Sequence, residues 1–294
     1  LAAPANKVKI ITDSNTCLPP KLLEQHEITI VPLRLIFDGQ VLRDGIDITP
    51  AEFYSRLKSE GSFPTTSSPG PEPFVEVFRQ VQREAATGAL VLTLSSKLSM
   101  MYSSASLAAK SAGEFPVAVV DSRMATMAQG FIALAAAEAA ETGADLAGVV
   151  SATISAIPRT GFAFVLDTLT YLRRGGRVPG VVAVLGNALH IHPVIGDKGP
   201  GEIGILAPAH GANQALERLI RVLEERIAGR RLKGLAVMHA DAPEMADKLA
   251  CEVQGRLESD QRLFTEFSPV MGAHAGPGTF GLAYILDESP EADA

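Results

Sequence analysis

Apolar and polar positions alternate between two regimes along the first half of the chain: short β-branched runs and longer stretches with helical spacing. That pattern is the signature of β-α-β units, in which helices cover a parallel sheet. Val8 to Thr12 predicts a buried strand, Pro19 to Glu24 a short helix, and Ile28 to Ile36 a second strand that ends in an Asp38-Gly39 turn. Thr49-Pro50-Ala51-Glu52 is a capping box with proline at the first helical position, so a helix runs from there to about Ser59. Gly61 to Gly70, rich in Pro, Thr, Ser and Gly, reads as a loop. Phe74, Val77, Phe78 and Val81 then recur at i, i+3, i+4 and i+7 as one helix face. Ala89 to Leu94 and Pro116 to Val120 read as strands. Helices are expected at about Ser99 to Ala112 and Thr126 to Thr142, the second stopping at Gly143, with one more ending near Pro158.

Past that point the alternation is less regular. Phe162 to Leu166, Leu189 to Ile195, Ile203 to Ala207, Leu235 to His239, Thr265 to Val270 and Leu282 to Leu286 read as strands, with helices at about Asn213 to Ala228 and Pro243 to Leu257. Gly196 to Gly201 has the composition of a reversal between antiparallel strands, which predicts a mixed second sheet. The expected architecture is α/β in two domains: residues 1–158 as a three-layer α/β/α unit on a parallel sheet, and residues 159–294 as an α/β unit on a mixed sheet.

Composition narrows the function. Of 294 residues, 47% are hydrophobic and 20% charged, enough apolar material for a substantial core. A net charge of −7 with no basic run argues against a nucleic acid partner. Cys17 and Cys251 form neither a disulfide framework nor a zinc-type cluster, which fits a reducing, cytoplasmic setting. The most apolar helical stretch, Phe131 to Ala140, contains Glu138, so no spanning helix is expected, and Leu1 to Lys9 lacks the apolar core of a signal peptide.

In an open parallel sheet, ligands bind where strand ends lead into helix N-termini. The loops at those positions carry hydroxyls: Asp13-Ser14-Asn15-Thr16, Thr65-Thr66-Ser67-Ser68, the turn with Ser95, Ser96 and Ser99, and Asp121-Ser122. Any one cluster serves a cap or turn equally well. Several aimed at one edge, with no metal-ligand set or phosphate-loop lysine among them, suit a small anion such as a carboxylate. GxxxxGK[ST], HExxH and GxSxG are absent, and no cofactor is called for. Gly276 to Gly281 fits GxGxxG in form only, because too little chain follows for the helix and strand of a dinucleotide unit. His190 and His192 share a strand face that suits packing or solvent as well as a metal. His274 lies among glycines that permit close backbone approach, and a buried carboxylate partner would hold its imidazole charged. Arg173, Arg174 and Arg177 form a tight basic group at a helix end. A serine hydrolase acting on lipid esters would use Ser96 or Ser99 with His274 and Asp13 or Asp121, but it lacks the nucleophile elbow.

Taken in order, these motifs resemble the DegV family of fatty-acid-binding proteins, which includes the B subunits of bacterial fatty acid kinases. The resemblance rests on Asp13-Ser14, Thr66-Ser67-Ser68-Pro69, Ser95-Ser96-Lys97-Leu98-Ser99-Met100-Met101-Tyr102, Gly175-Gly176-Arg177, Ile191-His192-Pro193 and His274 to Gly278. It implies a long-chain fatty acid buried between two α/β domains, its carboxylate on Thr66, Ser67 and Ser99 with His274 close by. Ser96, Met100 and Arg177 would be further contributors. It also implies no catalysis by this chain alone: a separate ATP-dependent kinase subunit would form the acyl phosphate. The sequence departs from the family pattern where Met100-Met101 replaces Gly-Thr and where His192 replaces Lys. The segment Leu206 to His210 also lacks the basic residues often found there.

Overall fold

The computed structural model describes residues 8–60, 63–181 and 191–288. Strands β1 (Val8–Asp13) and β6 (Gly88–Thr93) are continuous runs of buried or nearly buried residues. That is the pattern of strands covered on both faces. With β2 (Thr29–Val31) and β7 (Val117–Asp121) they form a wholly parallel sheet in the order β2-β1-β6-β7. Helices α1 (Pro20–Gln25), α3 (Glu72–Arg83), α4 (Met101–Ala109), α5 (Thr126–Glu141) and α6 (Leu146–Ala156) connect and cover these strands.

The second expected strand is in fact two. Pro32, which has no N–H for a ladder, ends β2, and β3 (Arg34–Phe37) leaves the parallel sheet for a separate antiparallel one. There it pairs with β4 (Gln40–Arg43) across Asp38-Gly39, both at positive φ (48° and 76°) as a two-residue hairpin requires. On its other side it pairs with β5 (Thr65–Ser67). This corrects the expected Gly61 to Gly70 loop: three residues without apolar alternation become a strand because Leu35 and its neighbours offer a free edge. The capping box of α2 (Pro50–Glu60) is formed, with Thr49 N–H donating to Glu52 Oε2 at 2.9 Å and Glu52 N–H to Thr49 Oγ1 at 3.3 Å.

The second sheet runs β10-β9-β8-β13-β11-β12 and is mixed, with only β11 (Leu232–His239) and β12 (Ser259–Glu266) parallel. Its other members are β8 (Thr160–Val165), β9 (Val194–Asp197), β10 (Ile203–Ala207) and β13 (Phe280–Leu286). Helix α7 (Thr170–Gly175) follows β8, α8 (Ala212–Ile227) follows β10, and α9 (Pro243–Val253) links β11 to β12. The strand expected over Thr265 to Val270 is displaced. β12 ends at Glu266, and Ser268 caps a helix, α10 (Pro269–Ala275), accepting from Met271 N–H with proline at the first turn. Of the strand expected at Leu189 to Ile195, residues 189 and 190 lie outside the described part of the chain, and β9 begins at Val194.

Helix α5 lies between the sheets, packing on β1 and β6 on one side and on β8, β11 and β13 on the other. Ala128, Ala133, Ala136 and Ala137 are buried, so both sheets approach closely and one apolar core runs through them. A second apolar cluster fills the far face of the six-stranded sheet beneath α8 and α9.

Asp13 ties the ends of β1 and β6 together: its carboxyl accepts Leu94 N–H at 2.8 Å and Asn15 N–H at 3.1 Å. Burial nevertheless wins over these bonds and pushes its pKa up to about 7. The fold therefore prefers the protonated acid, and that stability is complete below about pH 4 and lost as pH rises through 7. Asp44, pushed up to about 6 by burial, adds the same sign. Urea midpoints of the native protein should fall relative to those of Asp13→Asn between pH 4 and pH 7; a constant offset between the two would refute this.

Candidate functional site

The parallel sheet reverses its winding between β1 and β6, and the crevice beyond their carboxyl ends is where such sheets bind ligands. The turn after β1 and the loop after β6 form one side of it. Strand β5 and helix α10 form the other, and β8, β9, β10 and the chain after α7 close it. Between them lies a cavity of about 70 Å³, several times what one buried water needs. Its walls are apolar, with Leu94, Leu98, Phe164, Ile195, Ile203 and Met271 among them. Among the described residues its polar lining is Asn15, Thr66, Ser67, Ser68, Ser99, Arg177 and His274, with no Asp, Glu or Lys.

The hydroxyls are joined across elements. Ser68 Oγ and Ser99 Oγ are 2.7 Å apart, Ser68 Oγ accepts Met100 N–H at 3.2 Å, and Ser99 Oγ accepts Met101 N–H at 3.3 Å. Ser99 thus sits at the N-terminal end of α4, where backbone N–H groups favour an anion. Thr66 Oγ1 is 2.7 Å from His274 Nε2. His274 Nδ1 is buried without a hydrogen-bond partner. An orphaned buried N–H is costlier than an unused lone pair, so we assign the proton to Nε2, which donates to Thr66. The Thr66 hydroxyl is then left to donate in its turn.

In this structure the partner of His274 is not a carboxylate: burial first, then the charge of Arg177, bring its pKa down to about 4. Its hydrogen-bond partner is the Thr66 hydroxyl rather than a carboxylate. The ring fits because Gly175 has no side chain; a Cβ there would stand 2.3 Å from His274 Nδ1. Close backbone approach is likewise the use of Gly276 and Gly278, whose Cβ positions fall 2.3 Å from the Tyr171 ring and 2.7 Å from Asp167. The run Gly276 to Gly281 follows a helix and precedes a strand, the reverse of a dinucleotide loop.

Of the residues singled out in the sequence, Thr66, Ser67, Ser99, His274 and Arg177 come together on the cavity. Ser96 and Met100 do not line it. Ser96 Oγ donates to Asp121 Oδ2 at 2.6 Å, and the Met100 side chain is 63% exposed, although its N–H supports Ser68. Arg177 reaches back to Gly175 O at 2.7 Å and is exposed at the mouth, while Arg174 stacks 3.5 Å over the Phe63 ring. His192 stands 3.7 Å from the Asp167 carboxylate, and His190 lies outside the described residues. Sequence reasoning passed over Asn15 and Ser68 as site residues, although both stand in the hydroxyl loops it singled out. Asn15 Oδ1 accepts Thr126 N–H and its amide faces Met271 Sδ.

The sequence model of the DegV family, described as uncharacterised proteins, matches residues 7–287. A DegV domain-containing protein of Streptomyces coelicolor is 38% identical over 276 residues, covering 94% of this chain and 97% of that one. A solved DegV family protein from Thermus thermophilus, described for its fatty acid binding, superposes with a TM-score of 0.89 at 32% identity, covering 96% of this chain and 100% of its own. A DegV lipid binding protein from Thermotoga maritima does so with a TM-score of 0.87 at 31% identity, covering 97% and 100%. With its parallel and mixed sheets arranged as in those structures and its sequence matched from end to end of the described chain, the protein belongs to the DegV family.

Proposed function

We propose that this protein binds a long-chain fatty acid without transforming it and presents the carboxylate to a separate ATP-dependent kinase subunit, which forms the acyl phosphate. The observation that carries the binding reading is the cavity's division of labour: apolar walls, and one polar patch built from Thr66, Ser67, Ser99 and His274 with no competing carboxylate. The fatty acid binding described for the Thermus thermophilus relative supports it.

The energetics agree. At about 0.8 kcal/mol per buried methylene, some 14 methylenes of a 16-carbon tail offer roughly 11 kcal/mol before ordering costs. An ionised carboxylate loses several kcal/mol on burial unless donors receive its lone pairs. Thr66 supplies such a donor because neutral His274 already occupies its acceptor side.

Presentation to a partner is supported by the arrangement of reactive groups. Ser99 is bonded to Ser68, His274 to Thr66, and Asp121 to Ser96, so these described residues do not form the serine, histidine and carboxylate relay that ester hydrolysis needs. Arg177, exposed at the mouth beside Gly175, is placed to meet a phosphate or a partner surface. No helix among the described residues is long and apolar enough to cross a membrane.

Organic extraction of the purified protein followed by mass spectrometry should recover close to one fatty acid per chain; a clean protein that also fails to take up added fatty acid would refute the binding reading. Thr66→Ala and Ser99→Ala should each weaken fatty acid binding by about 1–3 kcal/mol, measured by titration calorimetry, because a buried carboxylate loses a donor. Unchanged affinity in both variants would move the head group elsewhere.

A further inference from the structure

A ligand enclosed by the protein needs a way in, and one part of the wall is a hairpin at a sheet edge. The hairpin β9–β10 lies at the edge of the six-stranded sheet, paired with β8 through Ala163↔Gly196, Phe164↔Ile195 and Val165↔Val194. Its base is anchored by Asp197, whose carboxyl accepts Phe162 N–H at 2.9 Å and Arg226 Nη1–H at 2.8 Å. Two of its residues, Ile195 and Ile203, line the cavity. Its turn, residues 198–202, crosses to the loop after β6. Among the described residues this turn makes two polar contacts beyond itself. Ser95 Oγ donates to Gly201 O at 2.8 Å in a buried position, and Lys97 Nζ meets Glu202 Oε1 at 2.5 Å on the surface.

Gly201 is required at the contact. Its φ is +81°, and a Cβ there would stand 2.6 Å from Ser95 Oγ. Ser95 is equally committed: only 1% exposed, its hydroxyl also accepts Lys97 N–H at 3.3 Å, and its carbonyl accepts Leu98 N–H at 2.9 Å and Ser99 N–H at 3.2 Å. One turn of chain, Leu94 to Ser99, therefore supplies apolar wall through Leu94 and Leu98, head-group hydroxyl through Ser99, and the fastening of the opposite wall through Ser95.

We infer that the β9–β10 hairpin is a strap across the acyl-chain cavity, that Ser95 with Gly201 and Lys97 with Glu202 are its clasp, and that unfastening this clasp sets the rate at which fatty acid enters and leaves. The inference rests on the fatty acid reading above. Releasing its turn end breaks one buried hydrogen bond and one exposed ion pair, a local event that leaves the Asp197–Arg226 anchor at the base, the inner strands and the Thr66–His274 pair intact. A strap changes entry and exit together, so affinity stays constant while rates move.

The same short distance supplies the test. With Ser95→Cys and Gly201→Cys the two Cβ atoms come within about 4 Å, the reach of a disulfide. Cys251→Ser removes the exposed native thiol, and Cys17 is buried. Exchange of a fluorescent long-chain fatty acid, followed by stopped flow, should be at least about tenfold slower in the oxidised protein than after reduction. Equal rates in the two forms would overturn the strap. Should that pair disturb folding, Lys97→Gln and Glu202→Gln are exposed changes that keep the fold. Each should speed loading and release together by up to about fivefold, the range of an exposed ion pair, with affinity unchanged. Added salt should accelerate exchange in the native protein but not in these variants. Rates identical to native in both would overturn the inference, as would a change in affinity that appears in release alone. Native protein that takes up no fatty acid at all would instead remove the reading on which the inference stands.

Discussion

The proposed site depends on one constraint: an anion placed in an apolar interior must be met by neutral donors whose own hydrogen bonds are already committed in the right sense. Thr66 and His274 meet it as a pair. They stand 208 residues apart in sequence, one on a three-stranded antiparallel sheet and the other on a short helix after the last parallel strand. What brings them together is largely Asp44, at the end of the same small sheet. Its carboxyl accepts Val270 N–H, at the first turn of α10, at 3.2 Å and Ser14 Oγ–H at 2.6 Å. Ser14 Oγ in turn accepts Leu33 N–H at 3.1 Å, at the point where the chain leaves the parallel sheet. The loop after β1, the small sheet and α10 are thus fastened to one buried carboxyl, and the site is assembled where they meet.

The rest of the fold serves the same end. An alanine-rich helix between two sheets lets them share one core, so the walls of a cavity at their common edge are held from both sides. The glycines at 175, 276 and 278 have a use that composition alone does not reveal: each removes a side chain where α7 or the chain before it presses on the His274 segment. They seat the ring whose Nε2 engages Thr66.

Much of this was legible in the sequence where the cause is local. The capping box at Thr49, the hairpin turn at Asp38-Gly39 and the buried runs of β1 and β6 follow from spacing and residue chemistry within a few positions. Failures came where a distant partner decides. Thr65 to Ser67 has no strand pattern of its own and is a strand because Leu35 is there to pair with it. Thr265 to Val270 is apolar enough for a strand, yet Ser268-Pro269 starts a helix, a signal that was present and outweighed by hydropathy. The order of hydroxyl loops pointed to the edge of the sheet where the cavity lies, but nothing in Ser96 or Ser99 tells which turns inward; Asp121 decides it by claiming Ser96. The charge state of His274 is not legible for the same reason, since its environment is set by burial, Arg177 and Thr66 rather than by its neighbours in sequence.

The most direct measurement of the central claim is the ionisation of the bound ligand. A fatty acid labelled with ¹³C at its carboxyl carbon, loaded into the protein and titrated by NMR, should remain ionised down to about pH 4, because hydrogen bonds to the charged form outweigh burial. In Thr66→Ala the same resonance should titrate at higher pH. A carboxyl that protonates well above its ordinary range in the native protein, or one indifferent to the loss of Thr66, would contradict the account.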